Sequence, residues 1–398
     1  MGLRGDAAIV GMVEYKPERR YTGERIFMLE QWADLAAEAL ADAGLKASDV
    51  NGLVCANIRE SEQFVPSTVA EYLGWRVNFA ERVDLGGATP VGMVWRAAAA
   101  IELGLCDVVV CAAPSRPTPS LPPDQPRAWT PFGASSNIMG SPQAEFEIPY
   151  GNLAQNAGYA MIANRYAAEY GYDPRATAKI AADQRTNACA NPDAVFFGQP
   201  ITIDDVLASK MIADPLHVLE IVMPCAGGAA VVVASKEVAR RCRHRPVYVT
   251  GFGEHLMHKS PTYSPDLLHT PIGPAAEQAF GMAGIKRSDV DAAQLYDCYT
   301  ITVLMSIEDS GFCAKGEGMS FVAGHDLTFR GDFPVNTHGG QLGFGQPGLA
   351  GGFTQVTEAV RQVRGDAGDH QVPGCDTVYV SGTGGIMSEQ TALIVQGG

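Results

Sequence analysis

Along this chain apolar residues alternate between short unbroken runs and helically spaced positions, which predicts strands and helices in turn. Residues 7–13 (AAIVGMV) form a run bounded by charge, too short for a stable helix and suited to a buried strand. In residues 28–43, Leu29, Trp32, Leu35 or Ala36, and Ala39 or Leu40 share a helical face, and Gly44 supplies the stop. Residues 50–56 read as the next strand and 68–73 as a short helix. A glycine-rich turn at 83–90 (VDLGGATP) feeds an apolar helix over 91–103, whose alanines at 97–100 suit close packing between neighbours. A strand follows at 106–112. Beyond it come helices at 152–170 and 175–190, a capping signal opening 201–207, and strands at 225–233 and 247–251. Helices at 300–307 and 353–363 precede a final strand ending in Ser381-Gly382-Thr383-Gly384-Gly385. Alternation of this kind predicts an α/β protein.

Two pairs of segments repeat. Residues 43–50 (AGLKASDV) and 283–290 (AGIKRSDV) agree at six of eight positions, and each runs on into an apolar strand. Residues 106–110 (CDVVV) resemble 375–380 (CDTVYV) in the same order along the chain. One α/β half therefore occurs twice. Seven prolines within 114–131 exclude a continuous helix or a central strand there. The expected organisation is a first half at 1–112 and 221–240, an inserted cap at 113–220, and a second half at 241–398. Large loops at the end of a sheet commonly shape the pocket.

Composition narrows the function. With 46% hydrophobic residues over 398 positions, one large core or two fused ones can be filled. A formal charge of −15 argues against nucleic acid or an anionic membrane as a partner held by net attraction. No apolar run reaches the ~20 residues that span a bilayer. Nine cysteines without a C-x-x-C pair, and no apolar leader, fit reduced thiols in the cytoplasm. No metal set stands in pattern: His255 and His258 lack a third ligand and read as surface residues. The basic knot Arg240, Arg241, Arg243, His244 and Arg245 reads as a solvated helix end, with a phosphate clamp as the alternative.

Chemistry gathers in the second half. After the repeat, a strand gives way to an apolar helix at Tyr296-Asp297-Cys298-Tyr299, and strand ends in open α/β sheets are where ligands bind. Residues 336–348 (NTHGGQLGFGQPG) surround His338 with glycine, which implies close backbone approach or sharp turns.

These motifs, with the ending at 381–385, resemble the thiolase superfamily, in particular the sterol-carrier-protein-x and lipid-transfer-protein-like thiolases, over nearly the whole chain. The resemblance implies two five-stranded sheets in an α-β-α-β-α sandwich, a loop domain over the site, and a homodimer. A working thiolase of this kind carries a nucleophilic Cys in a Cys-Ala-Ser-Gly pattern; here the residues are Gly87-Ala88-Thr89-Pro90, so covalent acyl transfer by the usual route is excluded. Its His-Asp-Cys-Phe motif reads Tyr296-Asp297-Cys298-Tyr299, its Gly-His-Pro motif Gly345-Gln346-Pro347, and its closing Cys-x-Gly begins with Ser381.

Gly for the nucleophile and Tyr in the Tyr-Asp-Cys motif resemble aldolases that remove steroid side chains. That resemblance implies retro-aldol cleavage of a β-hydroxyacyl-CoA, a coenzyme A thioester as substrate with no covalently bound cofactor, and a small OB-fold partner with a zinc ribbon. Such cleavage needs no nucleophile, only proton transfer from the β-hydroxyl and stabilisation of a thioester enolate. The expected catalytic residues are Tyr296, Asp297, His338 and Gln346; Gly87, Ala88, Asn336, Ser381, Gly382, Gly384 and Gly385 are expected around the substrate. Tyr296 is expected to act as base or donor with its pKa of ~10 lowered, or by relay to His338. Gln346 stands where the aldolases typically carry Tyr and can only form hydrogen bonds. The alternatives are an acyltransferase subunit of a larger complex, with Cys298 or another thiol carrying the acyl group, and a non-catalytic binder of acyl-CoA or lipid.

Overall fold

The computed structural model describes residues 3–120, 138–259 and 261–398. Its strands are β1 (Ala7–Glu14), β2 (Gly52–Cys55), β3 (Phe79–Arg82), β4 (Val108–Ser115), the short pair β5 (Met211–Ala213) and β6 (Leu216–His217), then β7 (Gly227–Ser235), β8 (Val247–Leu256), β9 (Ala292–Gln294), β10 (Thr377–Gly384) and β11 (Glu389–Gly397). Nine of them hydrogen-bond in the order β3-β2-β4-β7-β1-β8-β11-β10-β9, while β5 and β6 form a separate hairpin. The two halves of this ladder join only where Ala8 meets Tyr248 and Ile9 meets Val247.

Side-chain alternation builds the layers. On β4, Val108, Val110 and Ala112 face the Met28–Ala43 helix, while Val109, Cys111 and Ala113 face inward. On β10 and β11, Val378, Val380, Leu393 and Val395 face inward, and Tyr379, Ala392 and Ile394 face the Ile272–Ala283 and Thr300–Asp309 helices. Between the inward faces lie the Thr89–Glu102 and Gly351–Arg364 helices, with Ala97, Ala98, Val356 and Val360 in the shared core. Five layers result, as expected.

The expectation of five strands in each half is corrected to five and four. Where β3 flanks β2 in the first half, the second half offers a single parallel bridge between Val335 and Ala293. Pro334 has no amide hydrogen to donate, and Asn336 turns into the left-handed region (φ 49°), so no strand propagates. The chain also does not end its sheet at Gly385: β11 folds back antiparallel on β10, pairing Ser381 with Ala392.

The repeated segments fold alike. Gly44 (φ 76°) and Gly284 (φ 70°) end their helices in the left-handed conformation. Lys46 then donates its amide to Asp49 Oδ2 and Lys286 to Asp289 Oδ2, both at 2.8 Å. In each half the two repeats also meet. Asn51 Oδ1 accepts from the amides of Asp107 (2.8 Å) and Val108 (3.0 Å), and Asp291 Oδ2 accepts from Asp376 and Thr377 (both 2.9 Å).

Between β4 and β7 lie the helices Pro142–Phe146, Gln155–Tyr170, Pro174–Ala190 and Ile203–Ala208. Thr202 and Asp205 cap the last of these reciprocally, as the sequence signal implies. Much of the proline-rich stretch lies outside the described residues. In the basic knot Arg241, His244 and Arg245 reach Asp49, Asp42 and Asp376, so these side chains brace the fold and the phosphate clamp is not supported there. His255 is exposed, but His258 is half-buried rather than a surface residue. Among the described residues no helix is long and apolar enough to cross a membrane.

Candidate active site

A cavity of about 480 Å³ opens where the N-terminal end of the Thr89–Glu102 helix meets the ends of β9 and β10 and the start of the Gln155–Tyr170 helix. Its floor comes from close backbone approach. Gly86 turns with φ 55°, Leu85 donates its amide to Thr89 Oγ1 (2.9 Å), and Gly384 lies directly under the Leu85 carbonyl, where a side chain would collide.

Gly87 and Tyr296 form one unit. A methyl group at Gly87 would overlap the phenol oxygen and ring of Tyr296 and the carbonyl of Thr383, closer than real Cβ contacts come. The phenol thus occupies the volume into which a nucleophilic side chain at position 87 would project. Tyr296 is 4% exposed, and its backbone amide donates to Ser381 Oγ (3.1 Å). Burial raises the phenol's pKa well above its usual value, and the charged forms of Cys298 and Asp297 push the same way, against the amides of Gln346 and Gln341. The expected lowering is therefore reversed, and Tyr296 is a neutral hydrogen-bond donor across the neutral range.

The remaining expected residues divide into those at the cavity and those behind it. Gln346, Gly384 and Gly385 line it with Gly87 and Tyr296. Asp297 does not: it is fully buried and accepts from the amides of Gln341 (2.9 Å) and Leu342 (3.0 Å) and from Gln355 Nε2 (3.0 Å). Burial raises its pKa to about 7 against the pull of those donors. Asn336 pairs with the Leu295 backbone through both side-chain atoms, accepting at 2.7 Å and donating at 2.8 Å. Ala88, Ser381 and Gly382 sit beneath the floor; a side chain at Gly382 would meet Ala88 and Thr391.

His338 is displaced from the role expected of it. It lines no part of the cavity, is fully buried, and packs 5.1 Å from the Phe344 ring with neither ring nitrogen hydrogen-bonded. Burial lowers its pKa to about 3, with Glu358 opposing, so it remains a neutral imidazole. The glycines around it serve packing: side chains at Gly339 and Gly343 would both strike Ala188 of the Pro174–Ala190 helix.

Several lining residues carried no separate signal. Tyr159 stacks on Tyr299 at 4.1 Å, the Tyr299 hydroxyl donates to Asn156 Oδ1 (2.6 Å), and the Tyr159 hydroxyl donates to the Gly385 carbonyl (3.3 Å). Gln155, Lys259 and Thr383 complete the polar wall, with Ile221, Val222 and Leu349 on the apolar side. Cys298 also lines the cavity, but burial pushes its thiol up to about 12, away from the nucleophilic thiolate. Among the described residues no carboxylate or imidazole lines the cavity. Among the described residues no cluster of three or more His, Cys, Asp or Glu could hold a metal ion.

A duplicated five-layer α/β sandwich whose nucleophile position is filled by a neighbouring phenol defines a thiolase-fold protein modified at its reactive centre. Residues 253–397 match the family described as "Thiolase C-terminal domain-like". A steroid side-chain-cleaving aldolase of Thermomonospora curvata is 34% identical over 396 residues, 96% of each chain. The 17-hydroxy-3-oxo-4-pregnene-20-carboxyl-CoA lyase of Mycobacterium tuberculosis is 33% identical, covering 96% of this chain and 97% of its own. Among solved structures, the Ltp2-ChsH2(DUF35) aldolase superposes with a TM-score of 0.86 at 32% identity, covering 100% of this chain and 99% of that one. The chain belongs to the thiolase superfamily, in the group that holds these aldolases.

Proposed function

We propose that this chain is the thiolase-fold subunit of an acyl-CoA lyase that cleaves the Cα–Cβ bond of a β-hydroxyacyl-CoA by retro-aldol chemistry. The observation that carries this reading is the overlap between the Tyr296 phenol and any side chain at Gly87. In the reaction the β-hydroxyl loses its proton and becomes a carbonyl. The Cα–Cβ pair passes to the thioester as an enolate, which then takes a proton at Cα. A neutral phenol serves both ends in one concerted step: as the Cα–Cβ bond breaks and enolate character develops, Tyr296 gives its own proton to Cα and takes the hydroxyl's, so neither a free enolate nor a tyrosinate has to persist in a buried site. The Gly87 backbone at the start of the Thr89–Glu102 helix, together with Gln346, offers polar groups to the enolate oxygen.

The names of the relatives extend the reading to substrate and assembly. The substrate class is a coenzyme A thioester with a bulky polycyclic acyl part, received by the apolar wall at Ile221, Val222 and Leu349. The two-component name of the solved aldolase supports a small partner, which on the resemblance seen in the sequence is an OB-fold protein with a zinc ribbon bound to a homodimer of this chain, and the proposed halves and cap keep the boundaries expected from sequence. An acyltransferase using Cys298 is disfavoured by that thiol's raised pKa.

Incubation of a β-hydroxyacyl-CoA with the chain, alone and with the partner, tests the proposal. Release of a carbonyl compound and a shortened acyl-CoA is expected, falling about 100-fold or more in Tyr296→Phe. An acyl adduct on a cysteine, caught by mass spectrometry during turnover, would exclude it.

A further inference from the structure

Beside the reaction cavity lies a second hollow of about 550 Å³, and the two share Pro224 at their rim. Arg19 and Arg25 reach it from the segment before the first long helix, Arg59 from the segment after β2, and Arg116 from the residue after β4. Four arginines around one hollow is a strong local excess in a chain of formal charge −15, and among the described residues Glu18 is the one acid in its wall. Several arginines elsewhere have carboxylate partners, Arg96 with Glu254, Arg245 with Asp376, Arg361 with Glu14 and Arg364 with Asp42, while others such as Arg82 and Arg185 donate to backbone carbonyls. Among the described residues none of the four in the hollow has a carboxylate partner.

The hollow is built rather than incidental. Gln31, 1% exposed, clasps the Arg116 backbone, accepting from its amide (3.0 Å) and donating to its carbonyl (3.2 Å). The Arg116 guanidinium lies 3.6 Å from the Tyr15 ring centroid, and its buried Nε has no partner. Arg59 donates to Thr118 Oγ1 (2.9 Å). Guanidinium groups held this way present planar forks to carboxylates and phosphates, and gathering them raises a repulsion that an anion relieves. The hollow is also mechanically continuous with the active site. Cys225, in its wall, donates its amide to the carbonyl of Gln346 (3.0 Å), and Ser115 packs against Gly348 at the cavity's edge.

We infer that the four-arginine hollow is an anion subsite that holds a negatively charged group of the same acyl-CoA whose thioester lies beside Tyr296. The inference rests on the proposed lyase reading. The charge can come from the phosphates of the coenzyme A nucleotide or from a carboxylate on the acyl part, and both have the chemistry the arginines recognise.

The test uses the full chain with its partner and the triple variant Arg19→Gln/Arg25→Gln/Arg59→Gln, three exposed positions whose loss leaves the core intact. Calorimetry measures binding of adenosine 3′,5′-bisphosphate and of coenzyme A; kinetics compare β-hydroxyacyl-CoA substrates with and without a terminal carboxylate. In the variant at least a tenfold loss of affinity or rise in KM is expected, with kcat within twofold and a shallower dependence on salt. Loss with the nucleotide probe assigns the phosphates, and loss confined to the carboxylated substrate assigns the acyl part. Unchanged affinity, KM and salt dependence overturn the subsite, as does a variant whose only change is in its oligomeric state. Because binding is read without turnover, a chain that binds nucleotide through these arginines but cleaves nothing would reject the lyase reading and keep the subsite.

Discussion

At position 87 glycine is required by Tyr296 as much as it marks a lost nucleophile. Gly87→Ala forces its methyl group into the phenol and the Thr383 carbonyl, so it should destabilise the fold by about 1–3 kcal/mol and abolish cleavage. In a Tyr296→Ala background the collision with the ring disappears, and the same substitution should cost clearly less. Equal costs in the two backgrounds, measured by denaturant titration as a double-mutant cycle, would show that the residues do not share the space. The raised pKa of Tyr296 sets a second expectation. Its protonated form persists from pH 7 to 9, so kcat should be flat over that range; a tenfold rise per pH unit would mark a tyrosinate base instead. The sequence announces the missing Cys and the Tyr in its motif. It does not announce that one fills the space of the other, because the contact joins residues on different halves of the chain.

The segment 336–346 shows how far element-level reading carries. Its glycines mark it as tightly packed, which is what the structure has, but the same signal suits a ligand and a neighbouring helix equally, so the sequence points His338 toward the cavity while the segment packs against the Pro174–Ala190 helix. Strands and helices with a clear period were legible to within a few residues, and the Met28–Ala43 helix to its bounds. β11 was not, since Glu389, Gln390 and Thr391 open it with polar side chains that become buried or half-buried only by lying against β8 and β10. Asp297 fixes the segment by accepting two backbone amides, and its pKa of about 7, raised from 3.8, gives a signed prediction. The folded chain holds this proton where the unfolded chain has released it. Stability from this group is therefore full below pH 4 and lost as the pH rises toward and through 7, by a few kcal/mol at about 1.4 kcal/mol per pKa unit. Asp297→Asn lacks that slope, so the variant should gain on wild type between pH 4 and pH 8 in chemical denaturation. A constant gap would refute the assignment.

Across the whole molecule, the two halves are held less by their sheet than by what lies between and across them. β1 and β8 share two register pairs, whereas the Thr89–Glu102 and Gly351–Arg364 helices place their apolar faces in a core common to both halves. The first of these helices also carries a polar link between the halves. Arg96 forks onto Glu254 of β8 through Nη1 (2.7 Å) and Nη2 (2.9 Å), Trp95 Nε1 donates to the same carboxylate (2.9 Å), and the Trp95 ring stacks on Phe252 at 4.4 Å. Both charged side chains are largely shielded, at 17% and 16% exposure, and Arg96 also donates through Nε to Glu81 (3.0 Å), so loss of Glu254 leaves the guanidinium with one carboxylate partner in a poorly hydrated place. With Glu81 still holding Arg96, Glu254→Ala should cost about 1–3 kcal/mol, and Glu254→Gln somewhat less because the amide oxygen can still accept from Trp95 or Arg96. Since the helices between the sheets belong to both halves, the loss should lower the midpoint of unfolding without dividing it. Scanning calorimetry of the variant would then give one transition at a lower temperature. Two resolved transitions would mean that this fork, and not the shared apolar layer, is what makes the duplicated halves unfold together.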